Sequence, residues 1–390
     1  TSTLDKRITT KEQSEQFLEI CANSDFKIDS VSSLKSSRKP SPPFTTSTLQ
    51  QEASNKFRIS PKQTMIIAQK LYVNGLITYM RTDSTILSED VLDNIEKYVK
   101  NRYNDKYYNR HQYKTNSKNS QEAHEAIRPC NIEIDDLSKQ DKYSTYEARI
   151  YNIIWKRTIA SQMSHCSVET VTLKIGIYED SVKQPYTFVS KIENILFDGF
   201  TKIYSPFIDK ENNEEDIANN KIEDIKQFKK NTPLKMKFIS SNEKYTKPKS
   251  LRFTEASLIK KLEKLGIGRP STFSSMVSIV QDRKYSIKKD VDGEKKQCCQ
   301  FMLVNDTIEE SYKEIIINAE KQKLVPTEIG QIVNGYLMKH FSILFSDGFT
   351  QKLEENLDNI SSGTLDWVKM VSDVYKLFNP VVLKINRLCS

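Results

Sequence analysis

The chain has 390 residues, with 59 Lys and Arg against 51 Asp and Glu for a net charge of +8, and 37% of its residues are hydrophobic. This is too long for one small domain and apolar enough for real cores, so two to four compact units are expected and a disordered tail is excluded. No run of about eighteen apolar residues occurs, and Thr1-Ser2-Thr3-Leu4-Asp5-Lys6-Arg7 carries no apolar leader, which argues against a membrane protein and for a cytoplasmic or similar reducing compartment.

The segment Ser32 to Pro43 is rich in Ser and Pro and cannot hold a helix, so it reads as a linker or domain crossing. A new unit starts at Phe44. Thr45 to Asn55 is expected to be helical. A second helix follows, with Ser60 as N-cap, Pro61 at the first helical position and Gln63 at the third, and Gly75 stops it. Met65, Ala68, Leu71 and Tyr72 share one face of that helix and are expected in the core. Leu76-Ile77-Thr78-Tyr79-Met80 then favours a short strand.

From about residue 168 to 240 the pattern alternates, with Val168 to Ile177, Tyr186 to Ile192 and Leu234 to Ile239 expected as strands. The helix-turn-helix order of the first unit then returns. Thr254 caps a helix whose face is Leu258, Ile259, Leu262 and Leu265, and Gly266 ends it. Gly268-Arg269-Pro270-Ser271 leads into a second helix carrying Phe273, Met276, Val277 and Val280. Around Asp290 to Gly293 a β hairpin is expected between Tyr285–Ile287 and Gln300–Val304, and two helices with a hairpin describe a winged helix. The part from Pro326 onward reads as helical, with Leu357, Ile360, Trp367, Val371 and Tyr375 as core positions. The fold class is therefore α+β and multidomain, with winged-helix-like (CAP-like) helical units joined by a β-rich part.

The six cysteines are scattered with no Cys-x-x-Cys spacing, and the four histidines show no pairing, so no metal site is expected on them. Basic residues cluster at Lys244 to Arg252, Lys260-Lys261, Arg283-Lys284 and Lys288-Lys289, which suits either a phosphate backbone or plain solubility. A start at Thr rather than Met reads as a processed product or a piece of something longer.

Two stretches bear chemistry. In Leu76-Ile-Thr-Tyr79-Met-Arg81-Thr-Asp83-Ser84, side chains two apart in extended chain point the same way, so Tyr79 and Arg81 are placed to face one phosphate. A phenol oxygen attacks a phosphodiester once its proton is accepted, and a guanidinium offsets the charge that develops. The commoner meaning of Tyr-x-Arg is a core tyrosine beside a surface arginine. In Gln121-Glu-Ala-His124-Glu125-Ala-Ile-Arg128-Pro129 an imidazole, carboxylates and a guanidinium are crowded together, either to orient a phosphate and move a proton or simply to close a loop.

These stretches, with Pro43-Phe-Thr-Thr-Ser-Thr-Leu-Gln-Gln51, Phe253 to Phe273, Pro326-Thr-Glu-Ile-Gly330 and Phe349 to Asp358, resemble the type IA DNA topoisomerases in sequence and in order, from about Pro43 to Tyr375. The resemblance implies the central part of that fold. A β-rich arch of residues 1–40 and 168–240 serves as gate hinge, 41–167 bears the nucleophile, and 241–390 is a helical DNA-binding unit. It implies that Tyr79 cuts one strand and holds its 5′ phosphate, that Arg81 contacts that phosphate, and that His124 belongs to the catalytic network, with Glu125 and Arg128 beside it. Arg269, and Arg252 less closely, match arginines that contact single-stranded DNA. The partner implied is DNA, single-stranded or negatively supercoiled, and no ATP is needed. The family's magnesium is held by an N-terminal Toprim domain that has no counterpart in this sequence, so a Toprim-containing segment or subunit is a further expected partner. No zinc ribbons are found, and Asn305 to Lys323 looks like an insertion. The competing reading is a non-enzymatic winged-helix protein that binds single-stranded DNA, with Tyr79 only packing. A tyrosine recombinase or type IB order would put the nucleophile near the C-terminus, unlike Tyr79.

Overall fold

The computed structural model describes residues 1–113, 125–204, 228–245 and 251–389. The polypeptide opens with β1 (Thr3–Leu4), helix α1 (Lys11–Ala22) and a long β2 (Asp25–Arg38), which join β3 (Cys166–Glu179), β4 (Val182–Phe197) and β5 (Pro233–Leu234) in an antiparallel sheet ordered β1-β4-β3-β2-β5. Alternation in β3 puts Val171, Leu173 and Ile177 inside, while Thr170, Thr172 and Lys174 lie half-buried or exposed on the other face. The polar run Ser32 to Arg38, expected as linker, instead completes β2. Each residue from Ser32 to Arg38 pairs with β3, Leu34 opposite Thr170 and Arg38 opposite Cys166. A Val-rich partner strand outweighs the weak strand preference of serine, and the polar side chains suit an edge left open to water. The crossing itself is only Lys39 to Pro43, where the Arg157 guanidinium donates to the Pro42 carbonyl at 2.7 Å and lies 4.9 Å above the Phe44 ring.

The first helical unit is built from α2 (Thr46–Phe57), α3 (Pro61–Val73), α4 (Glu89–Arg102) and α5 (Thr145–Ser161). Its core gathers Leu49, Ala53, Ile67, Leu71, Ile77, Ile95, Ile127, Ile150 and Ile154. Cys166 and Val168 of the sheet, with Phe200 and Tyr204 just beyond it, belong to the same core. The near end of the sheet is thus fixed to this unit by apolar burial, and the Tyr107 hydroxyl adds a 2.7 Å bond to Asp198. The far end is fixed differently. Phe17, Leu18 and Cys21 of α1 and Phe26 of β2 pack with Phe301 and Leu303.

Those last two residues reveal a departure from the expected hairpin. The second helical unit has α6 (Glu255–Lys264) and α7 (Phe273–Asp282), capped and terminated as expected: the Thr254 hydroxyl accepts from the Ser257 N–H, and Gly266 adopts a positive φ. Strand β7 (Ser286–Val291) then pairs not with β8 (Glu294–Val304) but with the later β10 (Glu320–Pro326). Strand β8 pairs with β9 (Thr307–Ile317) on one side and β6 (Ile239–Asn242) on the other. The apparent insertion around residues 305–323 is therefore the turn, the outer strand and the return to β10. Its outer strand reaches α1, where Lys11 pairs with Glu310 at 2.5 Å, and β6 beside it does the same, Ser14 meeting Ser241 at 2.6 Å.

The two helix-turn-helix units face one another, α2 against α6 and α3 against α7. The C-terminal helices α8 (Glu328–Phe341), α9 (Asp347–Ser361) and α10 (Trp367–Cys389) form as their periodicity predicts. Their expected core does not. Trp367 is 63% exposed, and Leu357, Val371 and Tyr375 are exposed with it, because little lies over these helices among the described residues; Ile360 alone of the five is half-buried. No described helix is long and apolar enough to cross a membrane.

Candidate active site

The chain reaches Tyr79 through a helix end built for a sharp reversal. At the end of α3 the Leu76 N–H donates to the Leu71 carbonyl at 2.9 Å and the Gly75 N–H to the Tyr72 carbonyl at 2.8 Å, a Schellman closure that needs a positive φ at Gly75, observed at 69°. Nothing lies within 4 Å of a side chain built at that glycine, so its φ and not a lack of space calls for Gly. The reversal brings Tyr79 back over the helix it has just left. The Tyr79 and Tyr72 rings meet edge to face with centroids 5.3 Å apart, and both are 40% exposed. Tyr72, expected in the core, is thus a surface partner of Tyr79.

The expected strand from Leu76 to Met80 does not form. It is reduced to a single bridge between Ile77 and Pro129. The segment is held by side-chain hydroxyls instead. Ahead of Tyr79, the Thr78 N–H donates to the Arg128 carbonyl at 2.9 Å, while the Thr78 hydroxyl donates to the Ala126 carbonyl at 2.7 Å and accepts from the Arg128 N–H at 3.0 Å. Behind it, the buried Thr46 at the start of α2 grips the main chain on both sides of Arg81. Fixed at both ends, the span leaves two chemically competent groups facing water: Tyr79, and Arg81, which is exposed and has no carboxylate partner among the described residues.

The other arginines are differently placed. Arg128 sends Nη2 and Nε to one Glu125 oxygen at 2.6 and 3.1 Å and Nη1 to the Pro129 carbonyl at 3.1 Å, so it braces its own loop. Arg269, in the turn before α7, pairs with Asp358 at 2.6 Å and Glu354 at 3.5 Å on α9. Arg252 pairs with Glu320 at 2.6 Å. A phosphate approaching any of these three must compete with a carboxylate already in place, whereas Arg81 meets it unopposed among the described residues. His124 lies outside the described residues, as does part of the basic cluster from Lys244 to Arg252. Among the described residues no group of three or more His, Cys, Asp or Glu converges to hold a metal ion.

Burial raises the Glu125 pKa, but hydrogen bonds from Arg128 and Ser88 outweigh it and hold the carboxyl below its ordinary value of 4.5. A depressed folded-state pKa stabilises the fold above the unfolded value, and that contribution is lost as pH falls through the folded one. Glu125→Gln is therefore expected to melt below the wild type at pH 7, with the gap closing below pH 4.5. Equal gaps at pH 7 and in acid would show that the loop is not held by charge.

Of the residues that bring order here, Thr46, Thr78 and Tyr72 drew no attention as functional in the sequence. Thr46 and Thr78 lie inside motifs that did, but a buried hydroxyl serving the main chain has no spacing rule of its own.

Residues 1–297 match the family described as DNA topoisomerase. A protein of Acanthamoeba polyphaga mimivirus, "DNA topoisomerase 1 type prokaryotic", is 40% identical over 380 residues, covering 95% of this chain and 44% of its own length. DNA topoisomerase 1 of Rickettsia felis is 36% identical over 389 residues, 97% of this chain and 45% of that protein. The structure of full-length topoisomerase I from Thermotoga maritima superposes with a TM-score of 0.73 at 27% identity, covering 97% of this chain and 56% of that one. The chain thus spans less than half the length of these two curated relatives.

Proposed function

The chain belongs to the type IA DNA topoisomerase family, with the α+β multidomain fold that goes with it, and from that premise we propose that it carries the strand-breaking and gate-forming part of such an enzyme. The observation that supports this most directly is Tyr79 held at the surface two residues from a solvent-facing Arg81 that pairs with no carboxylate among the described residues. In the proposed reaction the Tyr79 phenol loses its proton to a base and its oxygen attacks a backbone phosphorus. The bond to the 3′ oxygen breaks, that oxygen takes up a proton and leaves as a free 3′ hydroxyl, and a 5′ phosphotyrosine forms. Arg81 offsets the charge that gathers on the phosphoryl oxygens. Because one phosphate ester replaces another, resealing reverses the step without ATP. By the family resemblance His124 is assigned to the catalytic hydrogen-bond network, with Glu125 and Arg128 as further candidates, and magnesium to a Toprim-type portion beyond these residues. The supported outcome is relaxation of negatively supercoiled DNA, in whichever compartment holds that DNA.

The gate reading uses the sheet of residues 1–40 and 168–240 as hinge, 41–167 as the moving nucleophile unit and 241–390 as the unit that holds the strand. A winged-helix-like description of the last remains part of this proposal, with the β7–β10 pair in the place of the wing. Separability supports the gate: the buried clusters of the first unit and of α6–α7 are distinct, so α2 and α6 meet without a shared apolar core.

Arg81, Arg269, Arg252 and the lysine clusters support binding of single-stranded DNA through phosphates. For about five neutralised phosphates, affinity is expected to fall with a log–log salt slope of about −3.5. A gel shift giving equal affinity at low and high salt would remove the phosphate contacts from the proposal. The rival reading, a DNA-binding protein with a merely packed Tyr79, is not favoured by a tyrosine 40% open to solvent.

A further inference from the structure

We infer that Thr46 is a positioning residue for the nucleophile, its hydroxyl setting the main chain on either side of Arg81 and so the relative aim of Tyr79 and Arg81. This rests on the role proposed above for Tyr79. Thr46 is fully buried in the first turn of α2. Its hydroxyl lies 2.7 Å from the Met80 carbonyl and 3.0 Å from the Thr82 carbonyl, to which it donates, and accepts the Thr82 N–H at 2.9 Å. The Thr46 N–H donates to the Thr82 carbonyl, also at 2.9 Å. One side chain and its own amide thus serve both residues that flank Arg81, in a stretch with no strand ladder to do so. Such a hydroxyl is not needed merely to join the two parts. Glu255 of α6, the residue after the other unit's Thr cap, reaches Lys288 beyond α7 at 2.7 Å, so an ion pair makes the corresponding tie there. At position 46 a carboxylate would set a fixed negative charge beside the turn that carries Arg81 and weaken its hold on phosphate, whereas a neutral hydroxyl holds the same backbone without that cost.

Helix α2 is also the element that meets α6 across the two units. The clamp therefore links the nucleophile turn to a helix at the proposed gate.

The test is covalent capture of a labelled single strand by the complete enzyme that contains this chain, with magnesium, comparing wild type, Thr46→Val and Thr46→Ser. Val keeps the shape and removes the hydroxyl, and adduct formation is expected to slow by about 100-fold, the scale of a misplacement near 1 Å, while DNA affinity stays within about twofold. Ser restores the hydroxyl and is expected to stay within about threefold of wild type. Should Thr46→Val fail to fold, Thr46→Cys, with its weak thiol donor, replaces it and is expected to fall between wild type and a 100-fold loss. A wild-type rate in the variant lacking the hydroxyl, an equal loss in Thr46→Ser, or a loss matched by weaker DNA binding overturns the inference. If the wild type itself forms no adduct on Tyr79, the proposed function fails and this inference with it; if it does, only the clamp is at stake.

Discussion

Tyr79→Phe is expected to abolish covalent capture of DNA by the complete enzyme while leaving its folding intact. Loss of the phenol oxygen removes the one protein atom that bonds to phosphorus in the proposed step, so the effect is total and not a matter of degree. Stability should barely change, within about 0.5 kcal/mol. The Phe ring keeps the edge-to-face contact with Tyr72, and the lost hydroxyl has no hydrogen-bond partner among the described residues. Single-stranded DNA should still bind, since the phosphate contacts proposed for the arginines remain. A denaturation-resistant adduct on the Tyr79→Phe protein would take the reaction away from this residue, and a large fall in melting temperature would show that the tyrosine is structural after all.

Much of this site was legible because its parts obey local rules. Gly75 and Gly266 stop helices for the reason glycine usually does, and Ser60 and Thr254 cap helices with the hydroxyls that their positions predicted. The strand expected at Leu76 to Met80 failed because its residues satisfy the pattern for a strand while their hydrogen bonds go to Thr46 and the loop of residues 126–130, partners remote in sequence. The misplaced hairpin has an equally physical cause. Asp-Val-Asp-Gly reads as a turn, yet Gly293 is there because a side chain would come within 2.3 Å of the Ile317 carbonyl where β8 and β9 begin to pair. The real turn is Asn305-Asp306, both at positive φ, which the Asn and Asp side chains tolerate. Nothing in the C-terminal periodicity could say whether the apolar stripes of α8 to α10 would be covered. A stripe shows that a face prefers burial, and only tertiary packing supplies the cover.

The second large effect belongs to Arg81, and it separates this arginine from the others near it. Arg81→Ala should slow adduct formation by about 100- to 1000-fold, the range seen when one charge-stabilising donor is removed from a preorganised site. Since the guanidinium is exposed and unopposed by carboxylates among the described residues, the melting temperature should stay close to wild type. Arg81→Lys should recover only part of the rate, because an ammonium keeps the charge but not the two parallel donors that match a phosphate. Arg128→Ala is the instructive contrast. It releases Glu125 and strips a donor from the Pro129 carbonyl, so it should lower the melting temperature as well as the rate. Measured side by side as single-turnover adduct formation and thermal unfolding, the pair should diverge, Arg81→Ala losing rate alone and Arg128→Ala losing both. If Arg81→Ala keeps the wild-type rate, or loses stability in step with it, the free guanidinium beside Tyr79 is a surface charge and the phosphate must be met by another residue.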